Sequence, residues 1–434
     1  EGCAEGDCGA CTVVIGEPDG NDKIKYKAVD SCLYFLPMLH GKQLITVENL
    51  QSQEKLHPVQ EAMVEYHGSQ CGFCTPGFVM SMFALYKNHD HPSRDVIDDA
   101  LTGNLCRCTG YRSIVEAAAH ACVHDGIDVF TGNEPHIAAM LQTITHTSLN
   151  LTTSKQKYYR AASLNEALQF KAEHPQALVI SGATDVALRV TKKHELLETI
   201  LDISGLAELK EIDENDDHLI VGAGVPLNDI LPQLQLMFPA LYDILRVFGS
   251  PQVRNVATFG GNLGTASPIG DLLPVLMAYD AKIILESLHG RRKIDMHQFI
   301  TGYRQTVRQP DELITAVKIP KLPKNVIIRS YKISKRKDLD ISTVSGGFRL
   351  ELNADGKVKD IRLTYGGMAE MTKRALKTES FLTGKLWNRE NVEAAIPLID
   401  LEFRPISDAR SGEEFRKVAA RNLLLKFWLE NSLQ

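Results

Sequence analysis

The spacing of hydrophobic and polar positions changes along the chain. Residues 1–50 alternate short apolar runs with turns, which predicts a small β-rich unit. Residues 57–122 repeat apolar positions at helical spacing, as in Phe78, Met82 and Tyr86, and predict a small helical bundle. Within that bundle, Thr75 followed by a proline indicates a helix start, with Thr75 as the N-cap.

The second half of the chain has a different pattern. Residues 125–157 are polar and aperiodic, which favours a linker. Strands then alternate with helices, and a glycine-rich stretch covers 249–271. A long final helix is predicted to begin with a capping box formed by Ser411 and Glu414. Its apolar stripe, which includes Phe415 and Phe427, favours core packing, with a subunit interface as the alternative.

These changes predict a multi-domain α+β protein. The predicted segments are 1–50, 51–124, the linker 125–157, 158–323 and 324–434.

Length and charge narrow the class of protein. The 434 residues correspond to several domains, and the net charge of −6 gives no basic surplus for nucleic acid. Apolar runs are too short to predict a membrane span. The first residue is Glu1, and a cysteine follows at position 3 within a glycine-rich loop. Such a loop needs a preceding element to hold it, so we expect the natural N-terminus to lie upstream.

All nine cysteines fall in the first 122 residues, which is unusual for a disulfide-rich secreted protein and typical of metal ligands. Their thiolates favour a cytoplasmic location. The first group has the spacing Cys-x4-Cys-x2-Cys followed by a distant fourth cysteine, which is the plant-type 2Fe–2S pattern. A structural zinc site is the alternative, although zinc loops usually use Cys-x2-Cys pairs. The group consists of Cys3, Cys8, Cys11 and Cys32.

The second group contains two close pairs, Cys71 with Cys74 and Cys106 with Cys108. On spacing alone, zinc is a strong rival to a second 2Fe–2S cluster. Each pair is predicted to precede a helix, whose N-terminus favours thiolates and a net-negative cluster. The remaining Cys122 is predicted to lie mid-helix as a buried free thiol.

The motifs CAEGDCGAC, QCGFCTPG and LCRCTGYRSI resemble the two-cluster iron–sulfur unit of the xanthine dehydrogenase/aldehyde oxidase family of molybdenum hydroxylases. The resemblance implies a β-grasp ferredoxin domain for the first cluster, lacking its N-terminal strands here, and a helical domain for the second. It implies that the first cluster lies near flavin. It also makes Gln70 and Cys108 the residues nearest a molybdenum-pterin cofactor; taken without the family, Gln70 is an ordinary helix-end polar residue.

The segment after residue 157 contains no G-x-G-x-x-G motif, so a dinucleotide would need another binding device. The turn that starts at Gly182, and the stretch 249–271, could present backbone N–H groups to a pyrophosphate. Both could equally be ordinary turns.

The segments LVISGATDV, VFGSPQVRNVATFGGNLGTASPIGDLLPV and YKISKRKDLDIS resemble the FAD domain of the same family. The resemblance implies a vanillyl-alcohol-oxidase-type FAD domain, followed by a domain like that of the carbon monoxide dehydrogenase flavoprotein. The residues that it assigns to FAD are Val179, Ile180, Ser181, Gly182, Ala183, Thr184, Asp185, Val186, Phe248, Gly249, Ala257, Thr258, Gly261, Asn262, Gly270, Asp271, Ile314 and Lys332.

Further assignments follow from the resemblance. Tyr303 would lie near a nicotinamide pocket, and Arg336 and Asp340 would border the flavin. Position 183 is Ala where the family usually has Asn. Two alternatives stay open from the residues alone: Phe248 as plain core, and Lys332 as a solvated strand residue.

The resemblance implies the smaller, electron-transfer subunit of a bacterial-type enzyme, without a catalytic residue for hydroxylation on this chain. A separate molybdenum-pterin subunit would oxidise xanthine or hypoxanthine. Electrons would then pass through two 2Fe–2S clusters and FAD to NAD, in a dimer of heterodimers. The alternatives are the same role in aldehyde or N-heterocycle oxidation, or a non-catalytic iron–sulfur module.

Overall fold

The structure is a computed structural model that describes residues 1–52, 55–123 and 128–432. The chain divides into two compact units. The first comprises Glu1–Ala167, Gln176–Leu206 and Gly249–Ala257, and the second comprises Leu168–Pro175, Ala207–Phe248 and Thr258–Gln434.

The first unit begins with a three-stranded antiparallel sheet, as the alternating pattern predicts. Its central strand buries Val14 and Ile15, and the neighbouring strand buries Val29, because β-branched residues pack well on a pleated surface. The strand order is β2-β1-β3. The strands are β1 (Thr12–Pro18), β2 (Ile24–Asp30) and β3 (Gln43–Ile45).

Four helices follow and share a core with this sheet, which confirms the predicted helical unit. His57 caps the first helix, and the apolar face of the second, including Phe78 and Phe83, is fully buried. The helices are α1 (Pro58–Glu65), α2 (Thr75–Asn88), α3 (Arg94–Leu101) and α4 (Arg112–Ala121).

Two details of this bundle differ from the prediction. The N-cap of α2 is Cys74, so Thr75 is the first helical residue, and its hydroxyl pairs with that of Ser69 instead of capping the helix. Cys122 is the C-cap of α4 and not a mid-helix residue. It is buried, as predicted, and this burial raises the pKa of its thiol to about 11.

The predicted linker 125–157 contains regular structure, contrary to the interpretation of its polar composition. It holds helix α5 (Val129–Thr145) and strand β4 (Leu149–Thr152). Only Phe130 and Ala138 of α5 are buried, which explains why the helix leaves a weak hydrophobic pattern. Asp128 caps α5 and contacts Lys87 and His57 at 3.0 and 3.2 Å. The predicted boundary between 124 and 125 lies outside the described residues.

A second sheet completes the first unit. It has the order β4-β5-β7-β6, with parallel pairing of β7 to both of its neighbours. The further elements in this part of the chain are β5 (Lys157–Arg160), α6 (Leu164–Glu173), β6 (Leu178–Ile180), α7 (Ala187–Thr191) and β7 (Thr199–Asp202).

The second unit contains a five-stranded antiparallel sheet of order β11-β10-β14-β9-β8, and the separate hairpin β12–β13. Its elements, together with α10 of the first unit, are β8 (Ile212–Glu214), β9 (His218–Gly222), α8 (Leu227–Met237), α9 (Pro239–Arg246), α10 (Pro251–Arg254), α11 (Phe259–Thr265), α12 (Leu272–Ala278), β10 (Lys282–Ser287), β11 (Gly290–Asp295), α13 (Met296–Phe299), β12 (Ile300–Gly302), β13 (Gln305–Thr306) and β14 (Leu313–Pro320).

The C-terminal part of this unit packs three helices with a four-stranded antiparallel sheet. This arrangement completes the multi-domain α+β organisation that the pattern predicts. The elements are β15 (Val326–Ile333), β16 (Val344–Leu352), β17 (Val358–Gly366), β18 (Lys373–Arg374), α14 (Leu376–Leu382), α15 (Arg389–Glu402) and α16 (Glu413–Asn431).

The predicted capping box of α16 is wrong. Gly412 is the N-cap, and the Glu413 N–H donates to the Ser407 hydroxyl at 3.0 Å. Glu414 pairs with Lys417. The predicted core stripe of α16 is confirmed at Phe427 and its buried neighbours, whereas Phe415 is exposed. Among the described residues, no helix combines the length and apolarity needed to span a bilayer.

Candidate iron–sulfur and flavin sites

The first cysteine group lies at one end of the N-terminal sheet. Cys3, Cys8 and Cys11 precede β1, and Cys32 lies in the short turn Ser31–Leu33 that follows β2. Because β1 and β2 are antiparallel, with Thr12 opposite Asp30, the start of one strand and the end of the other meet. The sheet register therefore brings the distant fourth cysteine to the loop.

Glycines are required in this loop for space as well as conformation. Gly9 has a φ of 70°, and a Cβ at that position would lie 2.2 Å from the Gly103 carbonyl oxygen. A side chain would therefore clash with the neighbouring segment of the helical bundle. The loop shape that gathers the thiols depends on glycine there.

The first four thiols form two contacting pairs. The Cys3 N–H donates to the Cys8 sulfur at 3.3 Å, and the two thiols also contact each other. The Cys32 thiol donates to Cys11 and thereby lowers the pKa of Cys11 to about 6. The Gly6 N–H donates to Cys32, which ties the second pair to the loop that holds the first.

The second group is also a set of two pairs. Cys71 contacts Cys108, and Cys74 contacts Cys106. Cys74 is the N-cap of α2, whereas Cys106 and Cys108 lie in the loop between α3 and α4. Cys106 and Cys108 therefore precede α4 by several residues instead of lying at its N-terminus. Burial and the neighbouring Cys106 raise the pKa of Cys74 to about 12.

This pairwise arrangement fits 2Fe–2S clusters better than zinc. Each iron of a 2Fe–2S cluster takes two thiolates, so two contacting pairs supply one cluster. A structural zinc site needs four ligands around a single ion. Within residues 1–52, 55–123 and 128–432, no group of three or more Cys, His, Asp or Glu side chains converges on one ion position.

The second group has an exposed edge. Cys71, Cys108 and Gln70 are exposed, and the rings of Phe73 and Tyr111 are 63% and 40% exposed. Gln70 lies in the loop between α1 and α2, beyond the end of α1, so it is not a helix-end residue. The thiols of Cys71 and Cys108 are therefore accessible to a molecule that binds at this edge.

The candidate phosphate loop of the first unit follows β6. A Cβ on Gly182 would lie 1.8 Å from the Val256 carbonyl oxygen, so only glycine fits there. Among the described residues, the N–H groups of Gly182, Ala183 and Thr184 have no hydrogen-bond acceptor within the protein. Adjacent unpaired N–H groups after a strand can bind a pyrophosphate, so the loop fits a dinucleotide.

Ala183 adopts a φ of 58°, in the left-handed region that Asn tolerates better than Ala. The departure from the family's Asn therefore removes both a polar side chain and a favourable backbone fit.

The same loop adjoins the first cysteine group. Helix α7, which begins after Val186, packs against the turn that carries Cys32. Ala183 shares a small hydrophobic core with Met38 of the N-terminal domain. Lys192, just past α7, donates to the Cys3 carbonyl oxygen at 3.0 Å. Sequence reasoning missed Lys192, because a lone surface lysine carries no motif.

The second unit holds the next set of candidate FAD residues. The Thr258 hydroxyl caps α11 by accepting from the Gly261 N–H at 3.1 Å. The Asn262 Oδ1 is buried and has no hydrogen-bond partner among the described residues. A buried orphan acceptor suits a bound polar ligand, and the residues therefore fit FAD. Ile314 lies beside Gly264 of α11.

Lys332 is not a solvated strand residue. Its ammonium group donates to Asp271 at 2.8 Å and to the Val247 carbonyl oxygen at 3.0 Å, and both charged side chains are buried. It borders a cavity of about 290 Å³ that also contacts Arg336. Arg336 pairs with Asp340 across their loop.

The remaining predicted residues occupy separate positions. Phe248 is half-buried, which argues against the plain-core alternative, and Gly249 has a φ of 51°. Ala257 is buried at the end of the first unit's last segment. Gly270 donates to the Ser267 carbonyl oxygen. Tyr303 is 62% exposed on the hairpin β12–β13.

Comparison with known protein families gives three matches along the chain. Residues 46–119 match the 2Fe–2S binding domain model, and residues 152–322 match the FAD binding domain in molybdopterin dehydrogenase. Residues 329–431 match the CO dehydrogenase flavoprotein C-terminal domain.

Individual relatives agree with these matches. Xanthine dehydrogenase/oxidase of Rattus norvegicus is 34% identical over 99% of this chain, which spans 36% of that relative's length. The fold resembles carbon monoxide dehydrogenase from Hydrogenophaga pseudoflava (TM-score 0.60, 23% identity, 64% of this chain and 96% of that one). It also resembles quinoline 2-oxidoreductase from Pseudomonas putida 86 (TM-score 0.58, 23% identity, 64% of this chain and 98% of that one). The chain therefore belongs to the xanthine dehydrogenase/aldehyde oxidase family of molybdenum hydroxylases and carries that family's iron–sulfur and FAD domains.

Proposed function

We propose that this chain is the electron-transfer subunit of a xanthine dehydrogenase. A molybdenum-pterin partner would hydroxylate xanthine or hypoxanthine, and this chain would carry the electrons through two 2Fe–2S clusters and FAD to NAD. The ligands of the first cluster would be Cys3, Cys8, Cys11 and Cys32, and those of the second would be Cys71, Cys74, Cys106 and Cys108.

One observation carries the proposal: the three candidate cofactor loops of the first unit are in direct contact, in series. The Leu105 N–H, next to Cys106 of the second group, donates to the Cys8 carbonyl oxygen of the first group at 3.0 Å. The Cys32 turn of the first group then packs against α7, which follows the Gly182 loop. A series of adjoining redox loops is what an electron relay requires.

Flavin, when bound, exchanges single electrons with iron–sulfur clusters and an electron pair, as hydride, with a nicotinamide. The chain's own residues would hold and orient these groups. Glycine N–H groups in the first loop would donate to cluster sulfurs, as the Gly6 N–H already does to Cys32. Within the first unit, the N–H groups of Gly182, Ala183 and Thr184 would bind the FAD pyrophosphate.

The two ends of the relay would meet different partners. The exposed edge that contains Gln70, Cys71 and Cys108 would face the molybdenum-pterin subunit. Exposed Tyr303 would line the approach of the nicotinamide. We also propose a dimer of heterodimers and, for the reduced thiolates, a cytoplasmic location.

Identity to xanthine dehydrogenases along nearly the whole chain supports xanthine as the substrate of the partner. The fold likeness to carbon monoxide dehydrogenase and quinoline 2-oxidoreductase supports the second candidate, the same relay in a different molybdenum hydroxylase. The substrate pocket would lie on the partner in either case.

A purification of the intact complex tests the substrate. We expect the chain to co-purify with a molybdenum-containing partner and the complex to reduce NAD in the presence of xanthine. Matched assays would replace xanthine by an aldehyde or by quinoline. NAD reduction with one of these and not with xanthine would favour the second candidate function.

A further inference from the structure

Four buried polar side chains from distant parts of the first unit meet beside both cysteine groups. They are Thr12 at the start of β1, Ser81 of α2, Asn104 before Cys106, and Gln252 of α10, each 0–4% exposed. Buried polar groups are costly unless they are hydrogen-bonded, so their clustering calls for a specific arrangement.

Asn104 connects the two cysteine loops. Its Nδ2 donates to the Gly9 carbonyl oxygen at 3.1 Å and to the Thr12 hydroxyl at 3.2 Å. Gly9 lies between Cys8 and Cys11 of the first group, whereas Asn104 precedes Leu105 and Cys106 of the second. The Asn104 side chain therefore links the two loops. A second link lies beside it, the hydrogen bond from the Leu105 N–H to the Cys8 carbonyl oxygen.

Gln252 holds Asn104 in this position. Its Nε2 donates to the Asn104 Oδ1 and to the Ser81 hydroxyl, each at 3.1 Å. The Ser81 hydroxyl also donates to the Asn104 Oδ1 at 2.6 Å. The Gln252 Oε1 is buried without a partner among the described residues, and it occupies the space where a side chain on Gly103 would lie. A buried amide oxygen without a hydrogen-bond partner is energetically costly, so the presence of Gln252 here points to a role in positioning Asn104.

The segment that carries Gln252 also supports the candidate flavin loop. The Val256 carbonyl oxygen lies against Gly182, and Asn255 donates to the Ala28 carbonyl oxygen of β2 at 2.8 Å. A single short segment, 249–257, thus contacts the loop of the second cysteine group, the Gly182 loop and the N-terminal sheet that supports the first cysteine group, all within the first unit.

We propose that Gln252 is a positioning residue for electron transfer between the two clusters, acting through Asn104. The electron would leave the second cluster through Cys106 and cross the hydrogen bond between the Leu105 N–H and the Cys8 carbonyl oxygen. The transfer would oxidise the second cluster by one electron and reduce the first by one, with no proton moved. This inference rests on the proposed function, because it assumes a cluster in each group.

The test compares the full-length protein with its Gln252→Met variant, which keeps the side-chain length and removes the amide donor. Both samples are reduced with dithionite, and EPR records the magnetic interaction between the two reduced clusters. Freeze-quench EPR then follows how fast the second cluster is reduced after NADH is added. We expect unchanged iron content, a changed interaction, and an inter-cluster rate about 10- to 100-fold lower, by analogy with the loss of activity typical for residues that hydrogen-bond to metal ligands.

The matched control is Asp99→Asn. The Asp99 carboxylate pairs with Arg254 on the same segment at 2.8 Å and lies outside the hydrogen-bond cluster of Asn104 and Gln252, so this change weakens the segment's attachment alone. It should leave the EPR interaction and the rate as in the wild type. Asn104→Leu removes the bridging side chain itself and should reproduce the Gln252→Met result.

The outcomes separate the two claims. Gln252→Met with both clusters present and with wild-type interaction and rate would overturn the inference. Loss of a cluster in Gln252→Met would also overturn it, because the amide would then maintain ligand binding instead of spacing. A wild-type protein without two 2Fe–2S signals would instead refute the proposed function.

Discussion

Cys71→Ser is expected to remove the second cluster and to leave the flavin in place. Cys71 contacts Cys108, so serine breaks one of the two thiol pairs of that group. Iron should fall from about four to about two atoms per chain, with one set of 2Fe–2S EPR signals lost. The rate of electron uptake from the proposed molybdenum partner should fall by more than roughly 10- to 100-fold. That smaller loss of activity is typical when a residue that hydrogen-bonds to a metal ligand is changed.

Flavin reduction by NADH should survive this change, because the contacts that shape the Gly182 loop and the 249–257 segment involve Val256 and Ser81 and not Cys71. Optical bleaching of the flavin, measured beside the iron content, checks this. Cys122→Ala is the matched control, since Cys122 belongs to neither pair; it should keep both clusters and cost about 1 kcal/mol of stability. Loss of flavin from Cys71→Ser would show that the two sites are not separate.

Gly182→Ala should give the reciprocal phenotype, with clusters retained and FAD lost. The new Cβ would meet the Val256 carbonyl oxygen at 1.8 Å, so the backbone must move. Overpacking of this kind costs about 3 kcal/mol at the upper end, which corresponds to roughly 100-fold weaker FAD binding if the loop must leave its binding shape. FAD titration, followed by the quenching of flavin fluorescence, measures the change.

A second glycine controls for the added methyl group. Gly132 lies in α5, and a Cβ there would have no atom within 4 Å. Gly132→Ala should therefore bind FAD as the wild type does and stabilise the helix slightly. Normal FAD affinity in Gly182→Ala would contradict the assignment of this loop to the pyrophosphate.

Local signals explain what the sequence predicted well. The loop that carries Cys3, Cys8 and Cys11 has the ligand spacing that a 2Fe–2S cluster requires. The cluster type can therefore be predicted from the sequence without knowledge of the fold. Strands such as β9 and β14 are rich in Leu, Ile and Val, and they are neighbours inside the five-stranded sheet of the second unit. Signals of this kind depend on neighbours in the chain.

Errors arose where a neighbour in space decided the structure. Helix α5 within 125–157 has few buried residues, so its periodicity is weak. The cap of α16 uses the Ser407 hydroxyl, brought in by the preceding loop, instead of Ser411. Lys332 has the sequence signature of an exposed strand residue, yet the fold provides Asp271 as a buried partner.

The polar cluster around Gln252 could not have been predicted either. Its hydrogen bonds join Gln252 to Ser81 and Asn104 to Gly9, which are far apart in the sequence. Only the sheet register and the packing of α2 bring these residues together. Each of them taken alone is an ordinary polar residue in a loop, strand or helix.

The central claim is that this chain holds two 2Fe–2S clusters and FAD as one electron relay. The most direct measurement is optical and EPR spectroscopy of the anaerobically purified full chain, before and after NADH is added. The account predicts flavin and 2Fe–2S absorption, about four iron atoms per chain, and reduction of the flavin and both clusters by NADH. Absence of both the flavin and the 2Fe–2S bands from a carefully handled anaerobic sample would contradict it.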